Sequence, residues 1–192
     1  FNDQTNASTC VSCAAGTFQA NPGSTACEAC TPGYYCTEGS AAPLPCPGGT
    51  HKDVSIAVMT SVADCVICPT GTYCSVGSDT PTDCAPGTYN NQTGASTCVN
   101  CAAGTFQAVA GSTACEECTA GYYCAEGSAA PLPCPGGKRE DTTLTRPMTS
   151  EADCITCGVG TFCPVGSGAE TLCAPGTYNA LEKQETCDKC TA

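Results

Sequence analysis

The chain is poor in what a globular domain is built from. It has no tryptophan, four phenylalanines and seven tyrosines. Leu, Ile, Val and Phe together number only 22 of 192 residues, whereas Gly and Pro contribute 35. So little bulky apolar material cannot offset the conformational entropy of ordering a chain this long, which excludes a single large hydrophobic core. Positive charge is equally scarce. Lys52, Lys138, Arg139, Arg146, Lys183 and Lys189 are the only lysines and arginines against 18 acidic residues, for a net charge of −12. That balance excludes a general phosphate-binding surface and so a nucleic-acid partner. The acidity reads as solubility and mutual repulsion, since no acidic cluster has the spacing of a calcium loop. Histidine occurs once, at His51, in a loop whose second copy lacks it, so the repeat has no general base of that kind. No nucleophile lies beside a base, and no phosphate loop is present. Glu28, Glu116 and Glu117 read as solvated turn residues. The expectation is a protein with no catalytic residues, no metal site and no cofactor, hence not an enzyme. The longest uncharged stretches are broken by Gly, Pro and Cys, so no run reads as a membrane span or a signal peptide.

What is abundant is cysteine, 22 residues of it. Chains that cannot build a sufficient core are commonly held by disulfides, and disulfides persist in oxidising compartments. The expected location is therefore extracellular, at the cell surface or secreted. The cysteines repeat. Cys10, Cys13, Cys27, Cys30, Cys36 and Cys46 return 88 residues later as Cys98, Cys101, Cys115, Cys118, Cys124 and Cys134. Cys65, Cys68, Cys74 and Cys84 return at 89 as Cys154, Cys157, Cys163 and Cys173, one residue having been gained in between. Cys187 and Cys190 open a third copy. The organisation is then residues 1–9, the end of a preceding unit; 10–97, a first repeat of five small modules; 98–186, a second; and 187–192, the start of a third. The chain reads as a window on a longer array.

Within the unit runs a finer rhythm of a cysteine, two residues, a glycine and usually an aromatic, as in Cys13-Ala-Ala-Gly-Thr-Phe18, Cys30-Thr-Pro-Gly-Tyr-Tyr35, Cys68-Pro-Thr-Gly-Thr-Tyr73 and Cys84-Ala-Pro-Gly-Thr-Tyr89. Pro and Gly set tight turns, and the aromatic is placed to cover a neighbouring disulfide. The fold class expected is small disulfide-rich repeats with little regular secondary structure, built from short β-hairpins and turns and stacked as an elongated rod-like tandem array.

The CxxC, PGTY and long-gap pattern resembles ephrin-receptor-like cysteine-rich repeats, related in style to growth-factor-receptor and tumour-necrosis-factor-receptor modules. The resemblance covers the whole chain. It implies a receptor ectodomain or a long surface protein, of the kind that includes mastigoneme proteins of flagellar hairs. The near identity of the units fits a filament better than a ligand-specific ectodomain.

Spacing offers two disulfide schemes. One tiles the repeat: Cys13 with Cys27, Cys30 with Cys46, Cys36 with Cys65, Cys68 with Cys84 and Cys74 with Cys98. It continues with Cys101 and Cys115, Cys118 and Cys134, Cys124 and Cys154, Cys157 and Cys173, and Cys163 and Cys187, leaving Cys10 and Cys190 as inter-unit candidates. The other closes Cys10 with Cys27 and Cys13 with Cys30. Closing a 15-residue loop contributes about 3 kcal/mol in the chain-entropy model. The quartet Cys10, Cys13, Cys27 and Cys30 also has zinc-ribbon spacing, which the surrounding unpaired cysteines argue against.

Asn6-Ala-Ser8 and Asn91-Gln-Thr93 are acceptor sequons for N-linked glycan in the stretch before a CxxC. Asn179 reads as a copy that has lost the pattern because Leu181 holds the hydroxyl position. The loops 47–64 and 135–153 differ most between copies and collect four of the six basic residues, which makes them contact-surface candidates, although a lid over the loop's own module is the favoured reading. Val54, Ile56 and Val58 alternate and predict a short strand. The partners expected are copies of the protein itself and covalent glycans. The function expected is a glycosylated, disulfide-stapled surface filament, with an adhesive or receptor ectodomain as the alternative.

Overall fold

The computed structural model describes residues 10–191. The sequon at Asn6 and the segment 1–9 lie outside the described residues. The elements follow from one local device. After a cysteine and two residues comes a glycine with positive φ, 86° at Gly16 and 79° at Gly33, which no L side chain adopts without strain. The residue after it turns back: the Thr17 N–H donates to the Ala14 carbonyl at 3.0 Å and the Thr17 hydroxyl to the same oxygen at 2.7 Å. Thr72, Thr88, Thr105, Thr161 and Thr177 repeat the hydroxyl bond three residues back. The threonine of the Gly-Thr-aromatic motif is therefore a turn lock, and the aromatic next to it begins a hairpin.

The hairpins run in chain order. In the first series β1 (Thr17–Phe18) pairs with β2 (Glu28–Ala29), β3 (Tyr34–Tyr35) with β4 (Leu44–Pro45), and β5 (Thr50–Lys52) with β6 (Cys65–Ile67). Then β7 (Thr72–Tyr73) pairs with β8 (Thr82–Asp83), and β9 (Thr88–Tyr89) with β10 (Val99–Asn100). The second series repeats it, as β11 (Thr105–Phe106) with β12 (Glu116–Glu117), β13 (Tyr122–Tyr123) with β14 (Leu132–Pro133), and β15 (Lys138–Glu140) with β16 (Cys154–Thr156). Last come β17 (Thr161–Phe162) with β18 (Thr171–Leu172) and β19 (Thr177–Tyr178) with β20 (Asp188–Lys189). Every pair is antiparallel, and every hairpin closes alike. The cysteine after the second strand donates its N–H to the glycine before the first: Cys30 to Gly16, Cys46 to Gly33, Cys68 to Gly49, and so on to Cys190 to Gly176. Helix among the described residues is limited to two 3₁₀ turns, Val62–Asp64 and Glu151–Asp153. Isolated two-residue hairpins have negligible stability of their own, so the covalent bonds must hold them.

Burial shows the same dependence. The buried apolar side chains of the described residues are twelve cysteines plus Met59 and Met148, with no Leu, Ile, Val or Phe among them. The core is sulfur. The chain divides into two compact units, one running through Cys84 with Asn90–Cys98 added, the other made of Ala85–Tyr89 and the residues from Val99 onward.

The strand expected over Val54, Ile56 and Val58 does not form. The Asp53 carboxylate accepts the backbone N–H of Ser55 at 2.9 Å and its hydroxyl at 2.7 Å, which bends the chain into an Asx turn and leaves Val54 80 % exposed. A side chain that captures the backbone locally overrides an alternating apolar pattern.

Candidate functional site: the disulfide frame and its surface

Ten disulfides join Cys13 to Cys27, Cys30 to Cys36, Cys46 to Cys65, Cys68 to Cys74 and Cys84 to Cys98, then Cys101 to Cys115, Cys118 to Cys124, Cys134 to Cys154, Cys157 to Cys163 and Cys173 to Cys187. Cys13–Cys27 and Cys101–Cys115 coincide with the tiling scheme. The rest correct it: Cys30 bonds Cys36 and not Cys46, Cys65 takes Cys46 and not Cys36, Cys68 takes Cys74 and not Cys84, and Cys98 takes Cys84 and not Cys74. The second repeat differs in the same way at Cys118, Cys134, Cys124, Cys154, Cys157, Cys173, Cys163 and Cys187. The alternative pairs Cys10–Cys27 and Cys13–Cys30 do not occur either. The reason is the glycine turn. Between Cys30 and Cys36, Gly33 reverses the chain and the Tyr34 N–H donates to the Thr31 carbonyl at 3.1 Å, so Cys36 returns to Cys30 within six residues. Cys46 is then carried forward as the first residue of the next hairpin. The zinc-like quartet is likewise divided, since Cys13, Cys27 and Cys30 are in disulfides and only Cys10 keeps a thiol. Cys10 and Cys190 are both free and exposed.

The long loops lie against their own modules. In the second, Met148 is buried with Cys134 and Cys154, and Tyr123 and Leu144 pack on that cluster. In the first, Met59 is buried, its carbonyl accepts the Cys36 N–H at 3.2 Å, and Val58 closes over Gly16. The chain has two methionines, one per copy at the same place, a signal of a core role that sequence reasoning passed over. The three basic residues of the second loop are in ion pairs. Lys138 pairs with Glu151 at 3.0 Å, Arg139 lies 3.7 Å from Glu170, and Arg146 forks onto Asp153 at 2.8 and 3.1 Å. Asp153 also accepts the backbone N–H groups of Thr149 and Ser150, and Arg146 foremost holds its carboxyl well below the usual range. Asp64, in the same place in the first copy, is lowered by the Thr60 and Ser61 N–H groups. The Asx turns Asp53–Ser55 and Asp141–Thr143 correspond at 88 and the methionines at 89, which confines the extra residue of the second repeat to the stretch 144–147. His51 sits in β5 with its Nδ1 2.7 Å from the Lys52 carbonyl, and Glu28, Glu116 and Glu117 are exposed on β2 and β12.

At the sequon, Asn91, Gln92 and Thr93 are all exposed. The residue before it is structural: Asn90 is buried, its amide donating to the Thr72 carbonyl at 2.6 Å. Asn179 has the same role, buried and donating to Thr161 at 2.7 Å. It is the counterpart of Asn90, so its reading as a degraded sequon is corrected; the residue matching Asn91 is Ala180. A groove of about 490 Å³ lies along the first hairpin, lined by Cys10, Ser12, Cys13, Gln19, Gly23 and Ser40. Among the described residues no three His, Cys, Asp or Glu side chains are grouped to hold a metal ion, and no helix is long and apolar enough to cross a membrane.

Hairpins of two-residue strands, a cysteine core and a bond pattern repeated from module to module define a disulfide-rich cysteine repeat, a class typical of extracellular domains. Residues 71–118, 48 of the 192, match the family described as tyrosine-protein kinase ephrin type A/B receptor-like. That family is a receptor-like cysteine-rich repeat and not an enzyme family. No curated protein matches the chain.

Proposed function

We propose that the chain is part of a secreted, glycosylated structural array whose stacked modules form an elongated rod and assemble with copies of the protein into a surface filament. The observation that supports this best is repetition: ten hairpins share one closing hydrogen bond and one glycine turn, so no module is specialised in the way a selective ligand site would require. Asn91, on an exposed turn, is the glycan site, and Asn6 is the second. The test is small-angle scattering of the chain made in an oxidising secretory host. A globule of this length has a radius of gyration of roughly 16 Å; a rod gives a markedly larger value, and one near the globular figure sinks the reading. Mass spectrometry of the same material reads sugar on Asn6 and Asn91.

The second reading, an adhesive or receptor ectodomain, is favoured by the family match itself. Saturable binding of the monomeric chain to a cell-surface protein or glycan, lost on substituting the exposed loop residues Val54 and Val62, would support it over the filament.

A further inference from the structure

The two repeats differ at one backbone donor. In most hairpins the glycine ahead of the first strand donates its N–H to a main-chain carbonyl further along, as Gly16 does to Cys36 and Gly104 to Cys124, both at 2.7 Å, and Gly49 to Cys74 at 2.8 Å. At Gly121 the acceptor is a side chain instead: the Glu140 carboxylate, at the end of β15, takes the N–H at 3.1 Å. The counterpart of Gly121 in the first repeat is Gly33, and that of Glu140 is Lys52, whose ammonium can donate but not accept. No described residue takes the Gly33 N–H. Gly33 is buried, and a buried backbone donor seldom lacks a partner, because it has given up water and gained nothing in return.

The backbone around the two places is the same. Gly33 and Gly121 have φ values of 79° and 82°. The Tyr34 and Tyr122 N–H groups donate to the carbonyls of Thr31 and Thr119, both at 3.1 Å. Lys52 pairs with Cys65 and donates its N–H to Ser78 at 3.2 Å, as Glu140 pairs with Cys154 and donates to Ser167 at 3.1 Å. Residue 52 therefore leaves its strand where residue 140 leaves its own, and only the side chain has changed. Lys52 is half-buried and has no carboxylate partner among the described residues, whereas Lys138, Arg139 and Arg146 of the second repeat each have one. Together with Pro32 and Tyr34, the two neighbours of Gly33, and with Val58 and Met59 of the long loop, Lys52 lines a cavity of about 30 Å³. That is room for one small polar group.

We propose that the first repeat binds an external carboxylate at this place, between the Gly33 N–H and the Lys52 ammonium, where the second repeat holds the carboxylate of its own Glu140. A backbone donor and a cation side by side, neither with a partner, select an acceptor that is also an anion. The second repeat shows which anion the frame fits, since a carboxylate oxygen already sits on the equivalent N–H. The small cavity restricts the guest to a terminal group, either a free small carboxylate or the side chain of an Asp or Glu on a second copy of this acidic chain. The site does not depend on the filament reading, because it is complete within one repeat.

The test is amide NMR of the oxidatively folded 192-residue chain, titrated with sodium acetate at constant ionic strength, sodium chloride being the balancing salt. The expected result is a saturable downfield shift of the Gly33 amide with none at Gly121. Lys52→Gln should weaken acetate binding by about tenfold or more, as loss of a charged hydrogen-bond donor does. Lys52→Glu should place the Gly33 amide downfield without acetate and end its response, and the reciprocal Glu140→Lys should make Gly121 respond. Native shifts at β5 and β15 show that each variant keeps its fold. A Gly33 amide that ignores acetate, or moves no more than Gly121, overturns the inference and leaves the donor to water. So does Lys52→Glu with the Gly33 amide unmoved, which would show that residue 52 does not reach the donor. Where acetate does bind, a Gly33 shift that grows with protein concentration and is reversed by acetate assigns the carboxylate to a second copy, and a shift independent of protein concentration assigns it to a free small carboxylate.

Discussion

At the scale of the residue, Asp64 and Asp153 show one position solved twice. Both accept the N–H groups at the start of a 3₁₀ turn, and both are held below the ordinary 3.8, but only Asp153 has an arginine. A carboxyl lowered in the folded state contributes stability that is complete above its unfolded value and is lost as pH falls through its folded one. Each turn should therefore be intact at and above about pH 5 and fail only in acid. The first loop should fail at the higher pH, because Asp64 is lowered by the Thr60 and Ser61 N–H groups and the Thr60 hydroxyl without an arginine. Methyl shifts of Met59 and Met148 followed by NMR would show Met59 moving first on acidification, and Arg146→Ala should bring the Met148 transition up toward it. An unmoved Met148 transition in that variant would mean that the arginine pair has no hold on the loop. None of this was legible in the sequence, where Arg146 counted only as one basic residue in a variable loop. Asn179 was misread for a related reason: a sequon is recognised by local spelling, whereas the buried role of Asn179 depends on the Thr161 carbonyl 18 residues away.

At the scale of the element, the disulfide loop lengths set the order of consequences. Removing Cys46–Cys65 frees a loop with a separation of 19 residues, and removing Cys30–Cys36 frees one of 6. Loop-closure entropy makes the former worth about 3 kcal/mol and the latter about 2 kcal/mol. Amide exchange in β5–β6 of Cys46→Ser/Cys65→Ser should therefore rise more than exchange in β3–β4 of Cys30→Ser/Cys36→Ser; the reverse order would show that turn geometry outweighs closure entropy. The methionine lids add to this. Met148→Ala removes the side chain packed with the Cys134–Cys154 disulfide, and truncations of buried methionine cost about 2–5 kcal/mol. The readout is faster proteolysis within 135–153, and cleavage unchanged from the parent would show that the loop is held by Asp153 alone. Hairpins, scarcity of helix and a cysteine-dependent fold were all legible from the Cys-x-x-Gly rhythm, because glycine turns and cysteine counts are local properties. The pairing was not. Cys36 and Cys46 both follow Cys30 at workable spacings, and only the path of the chain after Gly33 decides between them.

At the scale of the whole molecule, the described residues hold together through contacts between hairpins close in the chain and not through a common apolar core. Hydrogen bonds between modules join immediate neighbours, such as Gly49 to Cys74 and Gly77 to Cys46, and close glycine contacts, such as Gly33 against the Gly77 carbonyl and Gly121 against that of Gly166, join modules two apart. Stability in such an array is a sum of module and neighbour terms, so damage should stay where it is made. Cys118→Ser/Cys124→Ser removes the sulfurs at the centre of β13–β14, including the fully buried Cys124. Hydrogen exchange should then rise in β13–β14, in β11–β12, whose Gly104 donates to the Cys124 carbonyl, and in β17–β18, whose Gly166 turn packs on Gly121. Exchange in β1–β2 and β3–β4 should keep the parent rate. Loss of protection throughout the chain would instead require one cooperative unit, and with it a compact domain, for which the 22 Leu, Ile, Val and Phe residues supply too little buried surface.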